Sequence, residues 1–128
     1  MTPSARSMDW LRKNGWIVCR VEQRLRIPGA PFPRTLDAFN FGDLLGAHPD
    51  QGVALFQVTS TGHLAHRETK ILGLDVSRKD TRKVAICWLE AGGRIILHGW
   101  AKRGPRGKVK RWQLTEWEIK STAASHAE

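Results

Sequence analysis

The sequence predicts one mixed α/β domain, a mixed β-sheet flanked by helices, with elements in the order α-β-β-β-α-α-β-β. Three observations lead there. The 128 residues match the length of a single domain. At that length about two-thirds of the unfolded surface is buried, and 41% hydrophobic residues can fill a core without metal or disulfide staples. Apolar runs of strand length alternate with Gly- and Pro-rich breaks, and helical periodicity separates an early hairpin from the later strands. Such a crossover gives a mixed sheet with helices on its faces.

Residues 1–6 are polar and read as a flexible N-terminus, 7–120 as the domain and 121–128 as a flexible tail. Met8, Trp10 and Leu11 between a Ser7 cap and a Gly15 stop predict a short helix. Trp16 to Glu22 follows as a strand. From Arg26 to Ala38, Pro28, Gly29, Pro31 and Pro33 exclude both helix and strand. Gly42–Ala47 and Val53–Thr59 are buried-type strands joined by the turn residues His48-Pro49-Asp50-Gln51-Gly52, a hairpin. A helix is expected over His63–Leu72. A second, capped by Asp75 or Ser77, carries Val84, Cys87, Trp88 and Ala91 at i, i+3, i+4, i+7 and stops at Gly92-Gly93. Strands at 94–100 and 112–119 complete the domain.

Lys and Arg number 21 against 12 acidic residues, a net charge of +9, which favours a polyanionic partner. No stretch reaches the about 20 apolar residues of a membrane span, and charges from Met1 to Arg12 replace a secretory signal, so a cytoplasmic protein is expected. Cys19 and Cys87 lack metal or redox spacing and read as small core residues. The absence of tyrosine excludes a tyrosine-nucleophile recombinase, and the absence of a Gly-rich phosphate loop argues against an NTPase. His63 and His66 lack the partners of a zinc set, and Ser60 has no evident base.

The densest chemistry is Asp37-Ala38-Phe39-Asn40-Phe41-Gly42-Asp43-Leu44-Leu45 followed by Gln57-Val58-Thr59-Ser60. Asp43 opens one hairpin strand, and Gln57 and Thr59, two apart on its partner, share a face. Their side-chain oxygens and the Val58 carbonyl are hard donors of the type Mg²⁺ prefers. The plainer reading of Asp43 is a carboxylate that satisfies a neighbouring amide at a strand start.

These residues resemble the PD-(D/E)xK nuclease superfamily, whose hairpin carries an Asp and then Glu/Gln-x-Lys. With His98-Gly99-Trp100, the phrase is similar to small phage and prophage proteins related to Holliday-junction resolvases, over roughly residues 8–119. The resemblance implies a restriction-endonuclease-like fold, Mg²⁺ or Mn²⁺ as cofactor and nucleic acid, DNA first, as partner; it also leaves a homodimer open. It makes Asp43 the metal-binding aspartate, Gln57 the occupant of the second acidic position and Thr59 the occupant of the lysine position. Threonine brings no positive charge, so the activity is in question. Lys70, with Arg67 one turn earlier, is the candidate for a lysine moved to the following helix; the alternative is a solvated face or a phosphate contact. Glu22 is an additional acid or a salt-bridge partner for nearby arginines.

Lys102, Arg103, Arg106, Lys108, Lys110 and Arg111 crowd a loop between the last two strands, flanked by Trp100 and Trp112. Such cations suit a phosphate backbone, or they blunt a sheet edge. Trp100 is expected either to stack on an unpaired base or to pack across strands. Arg34 and Arg67 join the expected nucleic-acid contacts. Two functions remain from this reading: a divalent-metal-dependent endonuclease, and a catalytically inactive binding module such as a phage regulator or inhibitor. A third, an RNA-binding accessory factor, rests on charge alone.

Overall fold

The computed structural model describes residues 1–39, 41–72 and 79–120. Helix α1 spans Pro3–Lys13. It starts four residues before Ser7 because Thr2 and Pro3 form the stronger signal: the Thr2 hydroxyl accepts from the Ala5 amide at 3.2 Å, and proline fits the first helical position. The residues expected to fray are therefore the first turn of a helix. Ser7 sits inside it, buried beside Leu11.

Five strands form the main sheet: β1 (Ile17–Arg20), β4 (Leu44–His48), β5 (Gly52–Ser60), β6 (Arg94–Arg103) and β7 (Arg111–Ile119), in the order β1-β4-β5-β6-β7. All neighbours are antiparallel except β5 and β6, which run parallel. Parallel neighbours need a crossover. A 3₁₀ turn (Thr61–His63), helix α2 (Leu64–Ile71) and helix α3 (Lys79–Glu90) lie along it. The expected caps of α3, Asp75 and Ser77, lie outside the described residues, as does the expected tail at 121–128. Gly99 permits the crossover to pack closely, since a Cβ there would come within 2.9 Å of the Thr61 backbone.

The mixed α/β class is observed, and the element order departs from the expected one by two further strands. A separate ribbon forms from β2 (Gln23–Leu25) and β3 (Arg34–Leu36), paired only with each other. Its second strand falls within the segment expected to be irregular; the three prolines sit in the connecting loop, where they need donate no ladder hydrogen bond.

Side-chain alternation along β5 divides the interior. Ala54 and Phe56, with Val58 alongside, pack with Leu11, Trp16 and Ile96 beneath α1. Leu55 faces the other way, against Phe41, Leu64, Ile71, Ala85 and Leu97 beneath α2 and α3. Gln57 shares that second face. Cys19 and Cys87 are exposed rather than internal, since both lie on the outer side of their elements. Among the described residues no helix is long and apolar enough to cross a membrane.

Candidate functional site

Three acidic residues are brought together by backbone pairing alone. Ala38 and Gly42 form an isolated antiparallel bridge, with Ala38 N–H donating to the Gly42 carbonyl at 2.9 Å and Gly42 N–H returning to Ala38 at 2.8 Å. That closure sets the flanking residues, Asp37 and Asp43, side by side. The tight loop forces Phe39 to a φ of 54°, an uncommon conformation for a bulky residue. Gln23 pairs with Leu36 in the ribbon, so Glu22 and Asp37 are the next pair at its base. The Val21 amide donates to the Asp43 carbonyl at 3.1 Å and ties the third acid to the other two. One carboxylate oxygen from each of Glu22, Asp37 and Asp43 lies within 4.8 Å of the others.

Asp43 precedes β4 rather than opening it. Its amide donates to the Phe56 carbonyl at 2.9 Å, and its Oδ2 accepts from the Val58 amide at 2.8 Å. The carboxylate thus replaces a backbone carbonyl where β4 turns away from β5, as the plainer reading of Asp43 holds. That bond engages one oxygen. Burial pushes the Asp43 carboxyl up from 3.8 to about 7, with Asp37 and Glu22 pushing the same way and the Val58 amide opposing.

Beside the acids lies a cleft of about 200 Å³ lined by Asp37, Phe41, Gln57, Arg67, Lys70, Ile71 and Thr81. Gln57 is only 6% exposed, and its Oε1 has no hydrogen-bond partner among the described residues. Arg67 Nε, also buried, has none either. An unmatched buried polar atom typically costs about 1–3 kcal/mol; Thr61 Oγ1, which does not line the cleft, is a third such atom. Helix α2 presents Arg67 and Lys70 one turn apart to this cleft.

The structure therefore brings Asp43, Gln57, Lys70 and Arg67 to one end of β5, as the sequence suggests. Thr59 is half-buried on the same strand face but does not line the cleft. Val58 takes part through its amide, and its side chain belongs to the opposite core. Glu22 lies in the acidic cluster and also pairs with Arg20 at 3.6 Å. Asp37 and Thr81 were not foreseen as site residues. For Asp37 the available signal was the six-residue spacing to Asp43, closed by a glycine. Nothing in the local sequence marks Thr81, which α3 delivers from far along the chain.

Trp100 requires a correction. It is buried at 7% exposure beneath α1, where its indole N–H donates to the Ser7 hydroxyl at 2.7 Å, and its ring is out of reach of any base. Trp112 is half-exposed, but Arg6 stacks on its ring at 4.1 Å. Lys102, Arg103, Arg106, Lys108, Lys110 and Arg111 are all exposed around a loop at 104–110. Gln57 pairs with Leu97, and β6 continues from there to Arg103, about 20 Å further on. The basic tip thus projects from the same end of the sheet as the cleft. Arg34 is exposed at the start of β3, on the ribbon rather than in the cleft.

The chain matches no protein-family model, no curated protein and no solved structure.

Proposed function

We propose that this chain is a nucleic-acid-binding protein of the restriction-endonuclease-like fold, a divalent-metal-dependent DNA endonuclease with Gln57-Val58-Thr59 in place of Glu-x-Lys. One observation carries the reading. Three carboxylates, an orphaned amide oxygen and two cations from α2 meet in and beside one cleft, at the end of the sheet from which a basic loop projects. The donor set fits Mg²⁺ or Mn²⁺: all its members are hard oxygens, and Gln57 Oε1 has an acceptor position to spare. Asp43, Asp37 and Glu22 would hold the ion, with Gln57 supplying a neutral oxygen. When bound, such an ion provides Lewis acidity toward a phosphodiester.

The remaining work falls to this chain's own side chains. With its carboxyl near pH 7, Asp43 holds a proton part of the time, and that proton must leave before the carboxylate can serve as a ligand. Lys70 and Arg67 supply the positive charge that threonine at position 59 cannot, and they would offset charge on the phosphate in the cleft. Lys102, Arg103 and the 104–110 loop would hold the backbone by point charges that need only approximate placement.

A second reading, an inactive binding module, draws on one observation: Thr59 stands where the family's lysine stands and does not line the cleft. Incubating the protein with linear, single-stranded and four-way-junction DNA in Mg²⁺ or Mn²⁺, beside Asp43→Ala, separates the two. Cleavage lost in the variant supports the endonuclease. Binding without cleavage in either protein supports the module, and no binding at all rejects both.

A further inference from the structure

Among the described residues, the ribbon of β2 and β3 hydrogen-bonds to no strand of the main sheet. From Gln23 to Leu36 it carries Arg24, Arg26 and Arg34 and no acidic residue. Its end is stiff. Ile27-Pro28-Gly29-Ala30 is a turn with Ala30 N–H donating to the Ile27 carbonyl at 3.0 Å and Gly29 at a φ of 84°, the conformation a Pro-Gly pair favours. Pro31 and Pro33 restrict the chain that leads into β3. The rigid tip presents apolar side chains to water: Phe32 is 80% exposed and Ile27 47%. Together with Arg26 and the prolines these residues line an open cleft of about 430 Å³.

Holding a phenyl ring in water has no benefit for folding, and Arg26 lines the same cleft as the ring. The combination of a ring face, a rigid backbone and a neighbouring guanidinium suits a nucleobase together with its phosphate. In a duplex the base faces are covered by their neighbours, whereas an unpaired nucleotide offers a face to stack on. Glu22 and Asp37 flank the base of the same ribbon, so its two ends carry the exposed ring and the carboxylates. We infer that the β2–β3 ribbon is an arm that captures an unpaired nucleotide, by stacking on Phe32 and by phosphate contacts from Arg26 and its neighbours, and so selects DNA with an unpaired end over plain duplex. The inference rests on the nucleic-acid-binding function proposed above and adds the class of substrate.

The test is equilibrium binding in EDTA to a fully paired duplex and to a duplex of equal length with one flayed end, by fluorescence anisotropy. Wild type should prefer the flayed DNA by about tenfold, the scale of one base stacked on an aromatic ring. Phe32→Ala should lose that preference and keep its duplex affinity, and Phe32→Trp should retain the preference. Phe32 is exposed on a loop, so neither variant threatens the core. Wild type binding both DNAs equally, or Phe32→Ala keeping the preference, overturns the arm while leaving the nucleic-acid-binding proposal standing. Wild type binding neither DNA removes both. Capture of an unstructured basic-arm partner such as an acidic peptide, with no effect of DNA as competitor, also overturns it.

Discussion

The two faces of strands β5 and β6 each bury a polar cluster, and the two clusters differ in one respect. Beneath α1, Trp100 Nε1 donates to Ser7 Oγ at 2.7 Å, Ser7 Oγ meets His98 Nδ1 at 3.0 Å, and His98 Nε2 meets Glu116 Oε2 at 3.0 Å. Each group finds its partner within the chain. Beneath α2, Gln57 Oε1 and Arg67 Nε find none among the described residues, and Asp43 is crowded by two further acids. Burial does not explain the contrast, since His98 is 0% exposed and Gln57 6%. By residue type the first cluster looks like a nucleophile, a base and an acid. Yet Ser7 is sealed on the inner face of α1 with its hydroxyl engaged twice, so no substrate can reach it. A satisfied cluster holds α1 to the sheet; the unsatisfied one has bonding capacity that no described residue uses.

The largest effect should follow Asp43→Asn. If the cleft acts on a metal-bound substrate, cleavage should fall by about 100-fold or more, the upper end of what even groups one step removed from a metal contribute. Stability should move the opposite way, for a reason whose sign is fixed. The Asp43 carboxyl lies near 7 in the folded chain against 3.8 in its ordinary state, so the folded form holds a proton that the unfolded form releases. Wild type therefore loses stability as pH rises from about 3.8 to about 7 and does not regain it above. Asparagine removes that loss. Melting in EDTA should find Asp43→Asn more stable than wild type at pH 8 and level with it at pH 4. Mn²⁺ should raise the melting temperature of wild type alone, and more at pH 8 than at pH 5.5. Parallel melting profiles for the two proteins across that range would contradict the assignment.

Next in size are the two clusters exchanged for apolar groups. Ser7→Ala strands the Trp100 N–H in the interior and should cost about 1–3 kcal/mol in urea unfolding, with Mn²⁺ affinity unchanged. Gln57→Leu removes an amide whose oxygen is already unpaired, so its stability should stay within about 1 kcal/mol of wild type. Its Mn²⁺-dependent gain in melting temperature should shrink. If Gln57→Leu proved as damaging as Ser7→Ala, the two faces would not differ as described.

The same contrast marks what was legible in the sequence. Strands β5 to β7 and the two crossover helices follow from apolar runs and helical periodicity, which are local signals. Ser7 misled because a helix cap and a buried hydroxyl use the same residue type; only the packing of α1 over Trp100 separates them. That contact, between residues far apart in the chain, also took Trp100 away from any role in stacking. Asp43, Gln57 and Lys70 were legible as polar side chains that could converge at one end of the hairpin. Asp37 was not, because the Ala38–Gly42 closure that places it is made by backbone atoms and leaves no periodic trace. The ribbon was hidden by its prolines, which read as a break although they occupy only the loop.

The smallest effect on stability should come from the basic tip, which makes the contrast with the clusters sharpest. Lys108, Lys110 and Arg111 are exposed and make no salt bridge among the described residues. Replacing all three by Ala should leave unfolding within about 0.5 kcal/mol of wild type at each site. If these cations neutralise phosphates, each releases counterions, and the slope of log K against log salt should become shallower by up to about 0.9 per residue removed. The loss should be uniform across DNA sequences, because phosphate contacts carry no base identity. An unchanged slope would assign the charges to protection of the β6–β7 edge, and nucleic-acid contact would then depend on the ribbon and α2.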